Sequence, residues 1–174
     1  GHHMMADVII HFLELVYANL EREREHDNDM PAPITENAYE HSTRWQNDNY
    51  EPVTDGFARD DTPQNDIREI FRKGWTASEK GASITFEVEG SCLAVQYRKS
   101  VVQPTPIAKA IVDGDEEHAM LLDGNFEETW GDSLHLDTLA EHLPYGKHTV
   151  RIELIETHED DKVPFYLVSV IASH

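Results

Sequence analysis

Alternation of apolar and polar residues is the feature that most constrains the fold of this chain. Residues 84–89 read Ile-Thr-Phe-Glu-Val-Glu, and large apolar residues return at every second position in 93–97 and 150–154. In a β-strand, alternate side chains point to opposite faces, so each of these runs predicts a strand with one buried and one solvated face. Turn signals centred on glycine, such as Asp113-Gly114, separate the runs. We therefore predict a β protein from residue 67 onward.

No helical period interrupts the strand-like runs in this part of the chain. They number about eight, at a spacing typical of a two-sheet antiparallel β-sandwich of jelly-roll type. The predicted strands are 67–73, 82–89, 92–98, 107–113, 117–122, 134–140, 147–155 and 164–172. The last run is apolar on both faces from Phe165 to Ile171, which indicates a central strand.

The N-terminal part of the chain has a different period. Apolar residues lie three and four positions apart from Ala6 to about Arg24, which predicts a helix with one apolar stripe. The stripe consists of Ile9, Phe12, Leu13, Val16 and Leu20. Residues 26–65 have little periodicity and many turn formers, so we predict a long connection with one or two strands. The predicted organisation is a terminal helix over 1–25, a connection over 26–65 and a β-sandwich domain over 66–174.

Charge excludes two classes of partner. The 174 residues contain 34 Asp and Glu against 14 Lys and Arg, a formal net charge of −20, and such a surface repels nucleic-acid phosphates and anionic membranes. No apolar run reaches the roughly 20 residues that span a bilayer, and the start lacks a signal-peptide pattern. The lone Cys92 lies in an apolar alternating run and predicts a buried thiol. We expect a cytoplasmic protein, with the reservation that a targeting signal of a longer parent would lie upstream.

One short motif suggests catalysis. Gly131-Asp132-Ser133-Leu134 spells GDSL, and His135 follows the serine by two positions. In esterases with this string, the serine follows a buried strand and opens a helix beside backbone N–H donors that stabilise an oxyanion. Here the preceding residues 125–130 are polar or acidic in part, and about 40 strand-like residues follow. We predict no catalytic residue in this chain.

Metal and cofactor sites are not predicted either. The 11 histidines are scattered without ligand spacing, and His2 and His3 have the appearance of a purification-tag remnant. A structural calcium ion held by Asp113 and Asp115, or by residues 159–161, is the alternative, although turn chemistry explains these acidic residues without a metal.

Two longer stretches resemble a known family. Residues 81–90 read GASITFEVEG and residues 143–154 read LPYGKHTVRIEL. Over about residues 66–173 the chain resembles the carbohydrate-binding-like β-sandwich accessory domain that stands beside SGNH catalytic domains in bacterial esterases. Residues 1–10 look like the segment that follows the catalytic histidine in SGNH hydrolases. That resemblance makes the helix the last one of an upstream SGNH catalytic domain, whereas the competing interpretation makes Gly1–Met4 a tag remnant.

The resemblance implies a non-catalytic accessory module of an SGNH/GDSL-type carboxylic ester hydrolase, without a cofactor, that helps to bind acylated carbohydrate. Such modules stack aromatic faces on sugar rings and hydrogen-bond the hydroxyls. The predicted ligand-binding residues are Trp130, His135 and Tyr97, whereas Trp75 is expected in the core. Two other functions stay open: a structural module that forms a homo-oligomer through the helix stripe, and an esterase that acts through Ser133.

Overall fold

The computed structural model describes residues 2–19, 37, 39–63, 70–128 and 130–174, in two compact units, Gly1–Thr35 and Glu36–His174. In the first unit, helix α1 spans His2–Asn19, and its apolar side chains, Ile9 and Phe12 among them, are exposed. The predicted end of the helix near residue 25 lies outside the described residues. Among those residues, no helix is long and apolar enough to cross a membrane.

The second unit consists of two antiparallel sheets. Its described strands are β1 (Ser42–Trp45), β2 (Val53–Asp55), β3 (Ala58–Asp60), β4 (Gly74–Ala77), β5 (Ser83–Gly90), β6 (Cys92–Lys99), β7 (Ile107–Val112), β8 (Met120–Asp123), β9 (Ser133–Ala140), β10 (Gly146–Glu156) and β11 (Phe165–Ser173). One sheet has the order β3-β4-β11-β6-β9, with β1 also paired to β11, and the other has the order β2-β5-β10-β7-β8. The predicted fold class, mainly β with two antiparallel sheets after an N-terminal helix, is confirmed.

Alternate residues of facing strands form the core between the sheets. Ile84, Phe86 and Val88 of β5 pack in one cluster with Leu93 and Val95 of β6, as period two requires. These five side chains are buried. The core therefore follows directly from the sequence pattern.

Strand β11 lies inside its sheet and is covered on both faces. Leu167 belongs to the main core, whereas Tyr166 and Val168 form a second cluster on the other face with Phe71, against which Leu134 packs. This second cluster explains why the run is apolar on both faces, and it agrees with the prediction of a central strand. Cys92 is buried, as its sequence context predicts.

Three details differ from the sequence prediction. The strand predicted over 117–122 is observed only over Met120–Asp123, because Glu117 and His118 lie in a turn in which their backbone N–H groups donate to the Asp115 carboxylate. A strand over 67–73 is wrong for its described part, because Ile70 and Phe71 form a helical turn and the strand begins at Gly74. Lys73 just before it has a φ of +61°, which interrupts an extended backbone. The connection, predicted to contain one or two strands, has three short strands in its described part, β1 to β3, each paired in a sheet. Most of their residues are exposed, so their sequence carries no apolar alternation.

Candidate functional site

A shallow groove lies at one end of the sandwich, between the connection from β6 to β7 and the connection from β8 to β9. Its volume is about 580 Å³. The lining residues are Val101, Gln103, Phe126, Glu127 and Glu128. One wall therefore carries an aromatic ring and two carboxylates, and the other carries an amide.

Backbone hydrogen bonds hold the two connections together. The Ser100 N–H donates to the Gly124 carbonyl over 2.8 Å, and the Phe126 N–H donates to the Ser100 carbonyl over 3.0 Å. The Gln103 side-chain amide also donates to the Phe126 carbonyl. The groove is thus a preformed surface in which both walls share hydrogen bonds.

Asp132 fixes the groove to the start of β9. Its carboxylate accepts hydrogen bonds from the Ser100 hydroxyl (2.9 Å) and the Val101 backbone N–H (3.1 Å), and it lies 3.9 Å from Arg98 Nε. This is the aspartate of the GDSL string. Because its carboxylate is engaged with the neighbouring connection, its contacts in this chain are structural.

Trp130 extends the groove with a large exposed aromatic surface. The side chain is 76% exposed, and its ring meets the Phe126 ring edge to face with centroids 6.3 Å apart. Most soluble proteins bury so large an apolar side chain or use it in binding. The sequence prediction that Trp130 faces a ligand has the exposure it requires.

His135 and Tyr97, the other two predicted site residues, meet at Asp137 on the edge strand β9. The Tyr97 hydroxyl donates to Asp137 over 3.0 Å, and His135 Nε2 lies 3.4 Å from the other carboxylate oxygen of Asp137. The Tyr97 and His135 rings meet edge to face at 5.4 Å. Cross-strand pairing of Tyr97 with His135 creates this arrangement, because directly opposed residues share a face of the sheet.

Only part of this group is open to a ligand. The His135 and Asp137 side chains are 39% and 28% exposed, whereas Tyr97 is 1% exposed and stacks on Phe165. Burial, together with the negative charge of Asp137, raises the pKa of Tyr97, so its hydroxyl stays a donor. Tyr97 therefore has no exposed ring face for stacking on a sugar.

The structure thus brings two of the three predicted residues together and places Trp130 against Phe126 instead. Sequence reasoning missed Asp137, although its position two residues after His135 on a strand puts both on one face. It also missed the groove residues Phe126 and Gln103. No local sequence signal marks them, because the groove depends on hydrogen bonds between separate connections.

The carboxylates of the calcium alternative have protein donors. Asp113 accepts hydrogen bonds from the backbone and side chain of Thr149 and pairs with His148 at 2.7 Å, and Asp115 pairs with His118 at 2.8 Å. In residues 159–161, Asp161 pairs with His158. Across the described ranges, no group of three or more His, Cys, Asp or Glu side chains is placed to hold a metal ion.

No family model and no curated protein matches the chain. Among solved structures, the chain is similar to a two-domain esterase active on acetylated mannans. In one crystal structure of that esterase the identity is 53% and the TM-score 0.90; in another, co-crystallized with mannopentaose, they are 54% and 0.87. The matches cover 99% of this chain but only 46% and 45% of the esterase chains, so this chain spans somewhat less than half their length.

Proposed function

We propose that this chain is a non-catalytic, carbohydrate-binding module of a two-domain SGNH/GDSL-type ester hydrolase that acts on acetylated mannan. The observation that carries the proposal is the 54% identity over 99% of this chain to part of an esterase active on acetylated mannans. The exposed Trp130 beside the groove supports the proposal independently, because an exposed indole face is a surface on which sugar rings stack.

Trp130 and the groove have complementary roles in this proposal. An indole face stacks on the C–H face of a pyranose ring, while carboxylates and amides hydrogen-bond its hydroxyl groups. Glu127, Glu128 and Gln103 line the groove next to the aromatic pair. A neutral polysaccharide suits a chain of net charge −20 better than an anionic one does.

His135 and Asp137 form a second hydroxyl-binding position. An imidazole and a carboxylate side by side offer a donor and an acceptor to neighbouring sugar hydroxyls. Tyr97 acts through Asp137 as a positioning residue, because its hydroxyl fixes one carboxylate oxygen from the buried side. In this proposal Tyr97 contributes to ligand binding only by positioning Asp137, and it does not contact the ligand itself.

Helix α1 is assigned to contact with the catalytic part of the longer protein. Phe12, Leu13 and Val16 of the predicted stripe are 62%, 46% and 40% exposed. Exposed apolar surface of this kind is typical of a segment that packs against another domain.

Mannopentaose binding to the 174-residue chain, measured by titration calorimetry and by tryptophan fluorescence, tests the proposal. We expect Trp130→Ala to weaken binding about tenfold or more, which is about 1.4 kcal/mol, and Trp130→Phe to retain part of the affinity. Leu121→Ala is the matched control, since Leu121 is an exposed apolar residue outside the groove. Equal affinity of wild type and Trp130→Ala, or no binding by the wild type, would reject the proposed site.

A further inference from the structure

A second exposed aromatic surface lies at the other end of the sandwich. His41 and His174 are directly opposed, with each backbone N–H donating to the other carbonyl (3.2 and 3.3 Å), and their ring centroids are 5.1 Å apart. The Tyr145 ring follows at 4.8 Å from His174. Tyr39 lies at the same end, where its carbonyl accepts a hydrogen bond from the Ser42 hydroxyl. We call Tyr39, His41, Tyr145 and His174 the aromatic patch.

The aromatic patch combines exposed rings with one anchored hydroxyl group. Tyr145 is 58% exposed and Tyr39 is 55% exposed. The Tyr39 hydroxyl donates to Glu141 over 2.7 Å, and the Tyr145 ring packs beside the His174 ring. These contacts hold both tyrosine rings in place while leaving much of each residue open to solvent.

The length of strand β9 separates the aromatic patch from the groove. Strand β9 starts next to Asp132, which holds the groove, and ends next to Glu141, which holds Tyr39. Its eight residues, Ser133–Ala140, span about 25 Å at about 3.3 Å per residue. The two surfaces are therefore independent of each other and lie at opposite ends of one edge strand.

We propose that the aromatic patch is a second binding site for a neutral polysaccharide, which the same chain contacts together with the groove. This inference rests on the proposed function for the kind of ligand. Each ring of the patch has a polar atom, so the surface suits a ligand that presents C–H faces and hydroxyl groups in turn. Glu89 and Glu141 at its margin disfavour polyanions.

Two sites on one module change how it holds a polymer. A polysaccharide that reaches across about 25 Å binds the second site from a high effective concentration once the first is occupied. A short oligosaccharide occupies one site at a time and gains nothing from the second. The aromatic patch therefore has its largest effect on polymer binding.

Affinity electrophoresis of the 174-residue chain in gels containing soluble acetylated glucomannan tests this inference. We expect Trp130→Ala and Tyr145→Ala each to raise the dissociation constant obtained from the retardation about tenfold or more, and the double variant to show no retardation. Tyr145→Phe, which keeps the ring, should retain most of the retardation. The matched control is Tyr17→Ala, since Tyr17 is 70% exposed on α1 and outside both surfaces.

The single variants separate the two proposals. If Tyr145→Ala is retarded like wild type and adding it to Trp130→Ala changes nothing, the aromatic patch does not bind polysaccharide. If Tyr145→Ala leaves the retardation unchanged but changes the oligomeric state measured by analytical ultracentrifugation, the aromatic patch is a contact between protein chains. The inference is then also overturned. If Trp130→Ala has no effect but Tyr145→Ala does, the groove assignment fails while the aromatic patch stands.

Discussion

At the scale of single residues, His148 shows how one side chain ties a turn to a strand. Its Nδ1 lies 2.7 Å from a carboxylate oxygen of Asp113, and its Nε2 lies 2.9 Å from the Pro144 carbonyl. Both partners are acceptors, so the imidazole satisfies both only when both nitrogens carry hydrogen, that is, as the cation. The hydrogen bond with Asp113 raises the pKa of His148 above its usual 6.5, despite the opposing effect of partial burial.

The stability of the chain should therefore depend on pH through His148. A pKa raised by folding means that the stabilisation is complete below the unfolded value near 6.5 and is lost as pH rises through the higher folded value. We expect the Tm difference between wild type and His148→Gln, measured by circular dichroism, to be largest at about pH 5.5 and to shrink toward about pH 8.5. The Tm difference between wild type and Asp113→Asn should vary with pH in the same way, because this substitution removes the charge that favours the His148 cation. A difference that stays constant over this range would contradict the assignment.

The candidate site shows what a single residue's sequence context can and cannot predict. Trp130 in an acidic, polar segment is predicted to bind a ligand, and its 76% exposure is compatible with that role. Tyr97 ends an alternating run on the apolar side, and the same alternation that makes it a strand residue places it in the core. Its hydroxyl partner Asp137 comes from another strand, so only the pairing of β6 with β9 explains why a tyrosine stands there.

At the scale of elements, β4 approaches β11 so closely that one position has no room for a side chain. A Cβ on Gly74 would overlap the Leu167 carbonyl oxygen and the Tyr166 ring. Neither neighbour is free to withdraw, since Leu167 is paired within the sheet and Tyr166 is buried in the second cluster. The absence of a side chain at Gly74 is therefore a packing requirement.

Gly74→Ala should lower the free energy of unfolding by about 1–3 kcal/mol, as is usual when atoms are forced into a packed interior. Urea denaturation followed by tryptophan fluorescence measures this difference. Gly146→Ala is the control, because a Cβ there meets nothing nearer than the Pro144 carbonyl oxygen at 4.0 Å. The control should change stability by no more than about 0.5 kcal/mol, and a similar loss in both variants would refute the packing argument.

The elements differ in how far their sequences predict them. Strands such as β5 and β10 have eight and 11 residues and bury alternate side chains, so period two marks them clearly. Strands β1 to β3 have three or four residues, mostly exposed, and their hydrogen bonds to β11, β5 and β4 come from the assembled sheets. The local sequence of a short strand does not indicate which distant strand it will pair with.

At the scale of the whole molecule, the fold follows from patterns within strands, whereas the candidate site follows from contacts between connections. The alternating runs predict two sheets and a core. The groove requires residues 100–103 to meet residues 124–128, which are joined by backbone hydrogen bonds. Asp132, which belongs to the GDSL string, adds hydrogen bonds to Ser100 and Val101. A short motif cannot show whether its aspartate faces a histidine or a neighbouring loop.

We propose, finally, that the chain has no ester hydrolase activity of its own, although it contains the GDSL letters. Ser133 and His135 stand two residues apart on β9, so their Cα atoms are separated by about 6.6 Å. The His135 ring lies beside Asp137, and the Asp132 carboxylate binds Ser100 and Val101. A serine nucleophile needs a base within hydrogen-bond reach. The contacts of His135 and Asp132 direct both side chains to partners other than Ser133.

Hydrolysis of an activated acetyl ester by the chain, by its Ser133→Ala variant and by a longer protein that includes the proposed catalytic domain tests this proposal. We expect the chain and its variant to be equally inactive and the longer protein to be active, with Ser133→Ala leaving the activity of the longer protein unchanged. Turnover by the chain that Ser133→Ala abolishes would instead make Ser133 a nucleophile. In that case a base must approach it from a position that the present arrangement of His135 and Asp132 does not provide, and the module would be an esterase in its own right.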